Sequence, residues 1–99
     1  MFVSGQPGVD PATGEAGDTF GAQARQAFAN LTTVLEVAGS RPDLVVSVTV
    51  LVADHADFAE MNTLFADYFP TEPPARMTMQ VPLPRGLLIS IGCTAVEAS

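Results

Sequence analysis

Val45-Val46-Ser47-Val48-Thr49-Val50-Leu51-Val52 is dominated by β-branched residues and reads as a β-strand. The period of two places Val46, Val48, Val50 and Val52 on one face and Val45, Ser47, Thr49 and Leu51 on the other. The second face is only mildly polar, so neither face is built for open water. A strand of this kind belongs inside a sheet, with strands on both sides.

Working outward, each flank carries a helix pattern. On the N-terminal side, Phe20, Ala24, Ala27, Leu31, Val34, Leu35 and Ala38 recur at helical spacing. Asp18 or Thr19 is placed to cap that helix, and Gly39 is placed to end it at about Ala38. Arg41-Pro42-Asp43 breaks the chain before the strand. On the C-terminal side, Phe58, Met61, Leu64, Phe65 and Tyr68 predict a second helix over roughly 57–68, stopped by Pro70 and the Pro73-Pro74 pair.

Further strands are predicted at Met1 to Ser4, at Ala75 to Val81 and at about Leu87 to Val96. Asp10-Pro11-Ala12-Thr13-Gly14-Glu15 is a turn, with proline fixing one φ and glycine permitting a left-handed one. The order β, α, β, α, β, β predicts an α+β fold, a mixed sheet with two helices on one face. The 99 residues are read as one domain, 1–99.

Composition narrows the function. The formal charge is −7, with four arginines and no lysine. Such a field repels a phosphate backbone and an anionic bilayer surface, so neither nucleic acid nor membrane is expected as a partner. The single cysteine, Cys93, allows no internal disulfide and no cysteine-based zinc site. Neither a signal peptide nor an apolar run of transmembrane length is visible, and a cytoplasmic location is expected. A 47% hydrophobic content is high for so short a chain and suggests a homo-oligomer.

One arginine stands out. In Pro73-Pro74-Ala75-Arg76-Met77-Thr78-Met79-Gln80-Val81, followed by Leu83-Pro84-Arg85-Gly86, Arg76 sits where a proline-stiffened loop enters a strand. A guanidinium on a fixed backbone matches the two oxygens of a small carboxylate. A lone arginine at a strand start is more commonly a surface ion-pair member. The flanking prolines and the scarcity of other cations raise the receptor reading to parity with that one.

Arg76, Thr78 and Gln80 share a face of their strand, and Ser90 and Gly92 share a face of the last one. If those two strands pair antiparallel with polar faces together, Arg76 gains a hydroxyl-lined neighbourhood. Ser4 and Gly5 add a hydroxyl and an approachable backbone, and Asn62 an amide in the second helix. For each, the plainer reading is a strand end or a helix-surface residue. His55 lies between Asp54 and Asp57 and reads as a solvated turn residue. Cys93 falls with Ile89 and Ile91 and reads as a core thiol. Neither a serine triad nor a metal or carboxylate-pair site emerges.

Taken in order, Phe2-Val3-Ser4-Gly5-Gln6, Asp10 to Glu15, Gln23 to Asn30, Val34 to Gly39, Asp57-Phe58 with Asn62, Phe69-Pro70, Pro74-Ala75-Arg76 and Leu83-Pro84-Arg85-Gly86 resemble the RidA/YjgF family of enamine/imine deaminases. The resemblance spans nearly the whole chain. It implies a homotrimer with ligand clefts between neighbouring subunits and no cofactor. It also implies hydrolysis of 2-imino acids, and of enamines such as 2-aminoacrylate, to 2-keto acids and ammonia. The family's carboxylate-binding arginine corresponds to Arg76, its strand-end serine and glycine to Ser4 and Gly5, and its helix asparagine to Asn62.

Three departures accompany the resemblance. Ser90 stands where deaminase members commonly have a glutamate, and Thr78 where a cysteine is often found. The family's usual first strand, which often brings a tyrosine to the cleft, has no counterpart ahead of Met1. The expected site is therefore Arg76 and Ser90 as catalytic residues, with Arg76, Ser4, Gly5, Asn62 and Thr78 binding substrate. The alternative is a non-catalytic relative that binds a small carboxylate metabolite. A ribonuclease, a label some relatives carry, is disfavoured by the charge; a purely structural assembly subunit is a further reading.

Overall fold

The fold is given by a computed structural model, which describes residues 1–98. Its elements are β1 (Phe2–Pro7), α1 (Phe20–Val37), β2 (Val45–Val52), α2 (Phe58–Tyr68), β3 (Ala75–Gln80) and β4 (Ile89–Ala95). The strands form one four-stranded sheet in the order β1-β4-β2-β3. β2 is an interior strand of the sheet, as its β-branched run predicts. It pairs antiparallel with β4 and parallel with β3. A parallel pair needs a crossover, and α2 supplies it.

One face of the sheet carries the core. Val48, Val50 and Val52 of β2 and Ile89, Ile91 and Cys93 of β4 point into it, against Ala24, Ala27, Phe28, Leu31 and Leu35 of α1 and Met61 and Phe65 of α2. Leu31, Leu35, Met61, Ile89 and Ile91 are among the fully buried side chains. Burying each of them contributes about 1.5–3 kcal/mol. The opposite face presents Ser47, Thr49, Leu51, Met77, Met79, Ser90, Gly92 and Thr94, none of them fully buried.

α1 begins and ends where its local chemistry directs. The Thr19 hydroxyl accepts from the Ala22 amide. At the other end Gly39 takes φ +83°, its amide donates to Glu36 O, and Ser40 N donates to Leu35 O. That pair of bonds is a Schellman ending. The Asp10–Glu15 turn also forms, with Asp10 Oδ1 accepting from Ala12 N and Gly14 at φ +74°.

Several details depart from the sequence pattern. Pairing shifts between Val45 and Ser47 against β4, so Val45 is buried while Val46 is 50% exposed. An irregular residue reverses the alternation, which a strict period of two cannot anticipate. Val34 and Ala38 lie on the exposed side of α1, and Phe28 and Gln23 take inward positions instead. β1 runs on to Pro7, past an irregularity between Val3 and Gln6. β3 stops at Gln80, and β4 spans Ile89–Ala95.

Candidate functional site

Sheet register decides where the candidate residues point. Val3, Cys93, Val48 and Arg76 form one row across the sheet. Val3, Cys93 and Val48 are buried on the helix-covered side, so Arg76 also projects to that side, at the β3 edge. Thr78, two residues on, does the same. There α2 meets the guanidinium with three neutral groups. Asn62 Oδ1 accepts from Arg76 Nη2 at 2.7 Å. Met61 Sδ accepts from Nη1 at 3.6 Å. The Phe65 ring lies 4.8 Å from the guanidinium carbon, within the range of a cation–π contact. No carboxylate pairs with Arg76 among the described residues. Arg76 remains exposed.

Thr78 Oγ1 is enclosed and has no hydrogen-bond partner. Its hydroxyl is on the helix-covered side of the sheet and is not presented to solvent.

Ser4, Gly5 and Ser90 form a second group elsewhere. The bulge in β1 carries Ser4 and Gly5, both exposed. A Cβ on Gly5 would lie 2.5 Å from Ser90 Oγ, so Gly5 is what lets the β1 backbone pass over that hydroxyl. Ser90 pairs with Leu51 and lies on the open face, in a hollow of about 290 Å³ that Gly5 and Gly92 also line.

The expectation that Arg76 and Ser90 sit on paired strands with their polar faces together is therefore overturned. β3 pairs with β2, which separates it from β4 by a further strand. Two inter-strand steps amount to about 10 Å, and the two side chains leave from opposite faces. Within one chain, a ligand held by Arg76 does not reach Ser90. Asn62, by contrast, does come together with Arg76, but as a holder of its guanidinium.

Met61 and Phe65 were read in the sequence only as core residues. The available signal was their spacing: with Asn62 they occupy positions i, i+1 and i+4 of one helix, so Phe65 lies one turn on from Met61 on the same stripe. Gln23 has a structural role that the sequence pattern does not signal. It is 2% exposed, donates to Gly17 O and Gly86 O, and accepts from Leu88 N. Its amide thus fixes the turn that leads into β4. His55 is an exposed turn residue, and Cys93 is buried among apolar neighbours, with burial pushing its thiol pKa up. No cluster of three or more metal-ligating side chains occurs among the described residues.

The family model described as Endoribonuclease L-PSP matches residues 1–97. The chain belongs to the RidA/YjgF family. It is 42% identical over 100 residues to a RutC family protein of Pyrococcus horikoshii, covering 98% of this chain and 79% of that one. It is 40% identical over 100 residues to the 2-iminobutanoate/2-iminopropanoate deaminase of Mus musculus, covering 98% and 73%. The crystal structure of RidA from the Antarctic bacterium Psychrobacter superimposes with a TM-score of 0.89 at 39% identity, covering 93% of this chain and 76% of that one. This RidA/YjgF chain is a mixed sheet under two helices, with Arg76 on the edge strand β3.

Proposed function

We propose that the protein is a cytoplasmic, cofactor-free deaminase that hydrolyses 2-imino acids and their enamine tautomers to 2-keto acids and ammonia. The observation that carries this reading is the state of Arg76. It is an exposed guanidinium in a chain of net charge −7, held by an amide, a thioether and an arene, and by no carboxylate among the described residues. A cation held by neutral groups keeps its charge for a ligand. Two of its five N–H groups are engaged, which leaves three for a forked grip on a carboxylate. The mouse relative bears the name of an imine deaminase, which points the same way.

In the proposed reaction Arg76 holds the substrate carboxylate and so fixes the adjacent imine carbon. A water oxygen adds to the protonated C=N carbon and gives up a proton, forming a carbinolamine. The nitrogen takes up a proton, the C–N bond breaks, ammonia leaves, and the carbinolamine hydroxyl gives up its proton to water as the C=O of the keto acid forms. An iminium is electrophilic enough to need no strong base, so the gain comes from positioning and electrostatics. Because Arg76 and Ser90 of one chain lie on opposite faces, a cleft that unites them takes Ser90, Ser4 and Gly5 from a second copy. This supports a homotrimer with shared clefts.

The same separation, with serine at position 90 in place of an acid, favours a second reading: a relative that binds a small carboxylate and has lost hydrolysis. The deciding experiment is hydrolysis of freshly generated 2-iminobutanoate by wild type and Arg76→Ala. Acceleration by wild type alone supports the deaminase. Acceleration by both removes Arg76 from the site. Acceleration by neither leaves the carboxylate-binding reading, which titration with 2-oxobutanoate then tests.

A further inference from the structure

We infer that α2 is a charge-neutral clamp for Arg76, and that Phe65 and Met61 are positioning residues acting through that guanidinium alongside Asn62. The inference rests on the reading of Arg76 as the carboxylate receptor and adds what makes it one. An exposed arginine side chain ordinarily samples many rotamers, and ordering it on ligand binding costs affinity. Here the ordering is already in place. Asn62 Oδ1 takes one N–H at 2.7 Å, Met61 Sδ takes another at 3.6 Å, and the Phe65 ring contacts the guanidinium carbon at 4.8 Å.

Two of the three holders are themselves buried, and Asn62 is exposed. Met61 is 0% exposed and Phe65 7%, and Phe65 packs against Phe69 with ring centroids 4.9 Å apart. All three contacts come from a single helix, so the guanidinium is referenced to α2 rather than to a mobile loop.

The chemistry of the clamp matters as much as its geometry. A carboxylate in place of Asn62 would hold the arginine at least as firmly, but it would cancel the charge that the ligand needs. A thioether and an arene attract a cation through polarisability and quadrupole, and add no counter-charge. The clamp thereby fixes the direction of the guanidinium and leaves its charge for the incoming anion.

The test compares Asn62→Asp, Phe65→Leu and Phe65→Tyr with wild type in three readouts. These are Kd for 2-oxobutanoate by calorimetry, KM and kcat on 2-iminobutanoate, and thermal unfolding. Asn62→Asp is expected to leave the unfolding temperature unchanged or higher while weakening 2-oxobutanoate about tenfold or more. A residue that served only the fold would move neither binding nor KM. Phe65→Leu is expected to raise Kd and KM together by about three- to thirty-fold, with kcat less affected. Phe65→Tyr, which keeps the ring, restores wild-type binding. Wild-type binding in Asn62→Asp overturns the clamp, as does a Phe65→Tyr protein as weak as Phe65→Leu. If Phe65→Leu fails to fold, Asn62→Asp decides alone. A wild type that binds 2-oxobutanoate with this mutational pattern yet does not hydrolyse the imine defeats the deaminase reading and leaves the clamp standing. A wild type that hydrolyses the imine with no such pattern does the reverse.

Discussion

Thr78 holds an enclosed hydroxyl with no partner. An unsatisfied buried polar group costs about 1–3 kcal/mol, and an isosteric apolar replacement relieves that cost. Thr78→Val is therefore expected to leave stability unchanged or raise it by about 1 kcal/mol, read as the shift in urea midpoint at constant slope. A clear loss would mean that the hydroxyl finds a partner in the protein in solution. Burial also pushes up the Tyr68 phenol and the Cys93 thiol; the hydrogen bond with Thr32 pulls the phenol the other way without reversing the shift. Both groups hold their protons more tightly folded than unfolded. Their contribution to stability is complete below the unfolded pKa values, 9.0 for the thiol and 10.0 for the phenol, and is lost as pH rises through the folded ones. Melting temperature should fall from about pH 9 upward, and Cys93→Ser should flatten the first part of that decline. At this scale the sequence marked Arg76 and Asn62 as chemistry but read Phe65 and Met61 as packing only. Helical periodicity tells which stripe faces inward. It does not tell that the inward neighbour is a guanidinium, because that contact depends on β3 lying parallel to β2 beneath α2.

The elements divide by how local their causes are. The ends of α1 were legible because a cap is written within a few residues: Thr19 before the first turn, Gly39 after the last. Both are open to direct test. Thr19→Ala removes the acceptor for Ala22 N and is expected to cost about 1 kcal/mol. Gly39→Ala meets no atom within 4 Å, so its cost, about 1 kcal/mol, comes only from holding a Cβ at φ +83°. Urea unfolding should report both losses with an unchanged slope, and the double variant should lose their sum, because the sites lie at opposite ends of the helix. Strand pairing has no such local signature. Arg76 and Ser90 alternate correctly within their own strands, but the two polar faces lie on opposite sides of the sheet. Which strand lies beside which is set by the α2 crossover, and that placed β2 between them. The Val45–Ser47 irregularity was hidden for a related reason, since the valine run fits either phase of alternation until β4 fixes one.

The whole molecule has a covered face and an open one, and the open one exposes large apolar side chains. Phe2 is 88% exposed, Met77 59% and Met79 41%, beside the hollow that holds Ser90. Exposed apolar surface gathered on one face of a sheet marks an interface. The proposed trimer covers it and at the same time carries the Ser4, Gly5 and Ser90 group of one copy toward Arg76 of another. Met79→Glu tests both consequences at once. Met79 lies in the same row as Leu51 and Ser90, on the face opposite to Arg76 and its α2 clamp. Placing a carboxylate there, in a chain already at −7, should oppose association by desolvation and by like-charge repulsion. The expected result is a folded monomer by light scattering with an unchanged helical circular dichroism signal, and turnover of 2-iminobutanoate reduced more than about tenfold because the reacting groups are no longer held together. Residual binding of 2-oxobutanoate should persist, since Arg76, Asn62, Met61 and Phe65 all belong to one chain. A variant that stays associated and active would remove the open face from the interface. A wild type that is itself a stable monomer with full activity would remove the shared cleft, and Arg76 would then have to work with groups of its own face alone.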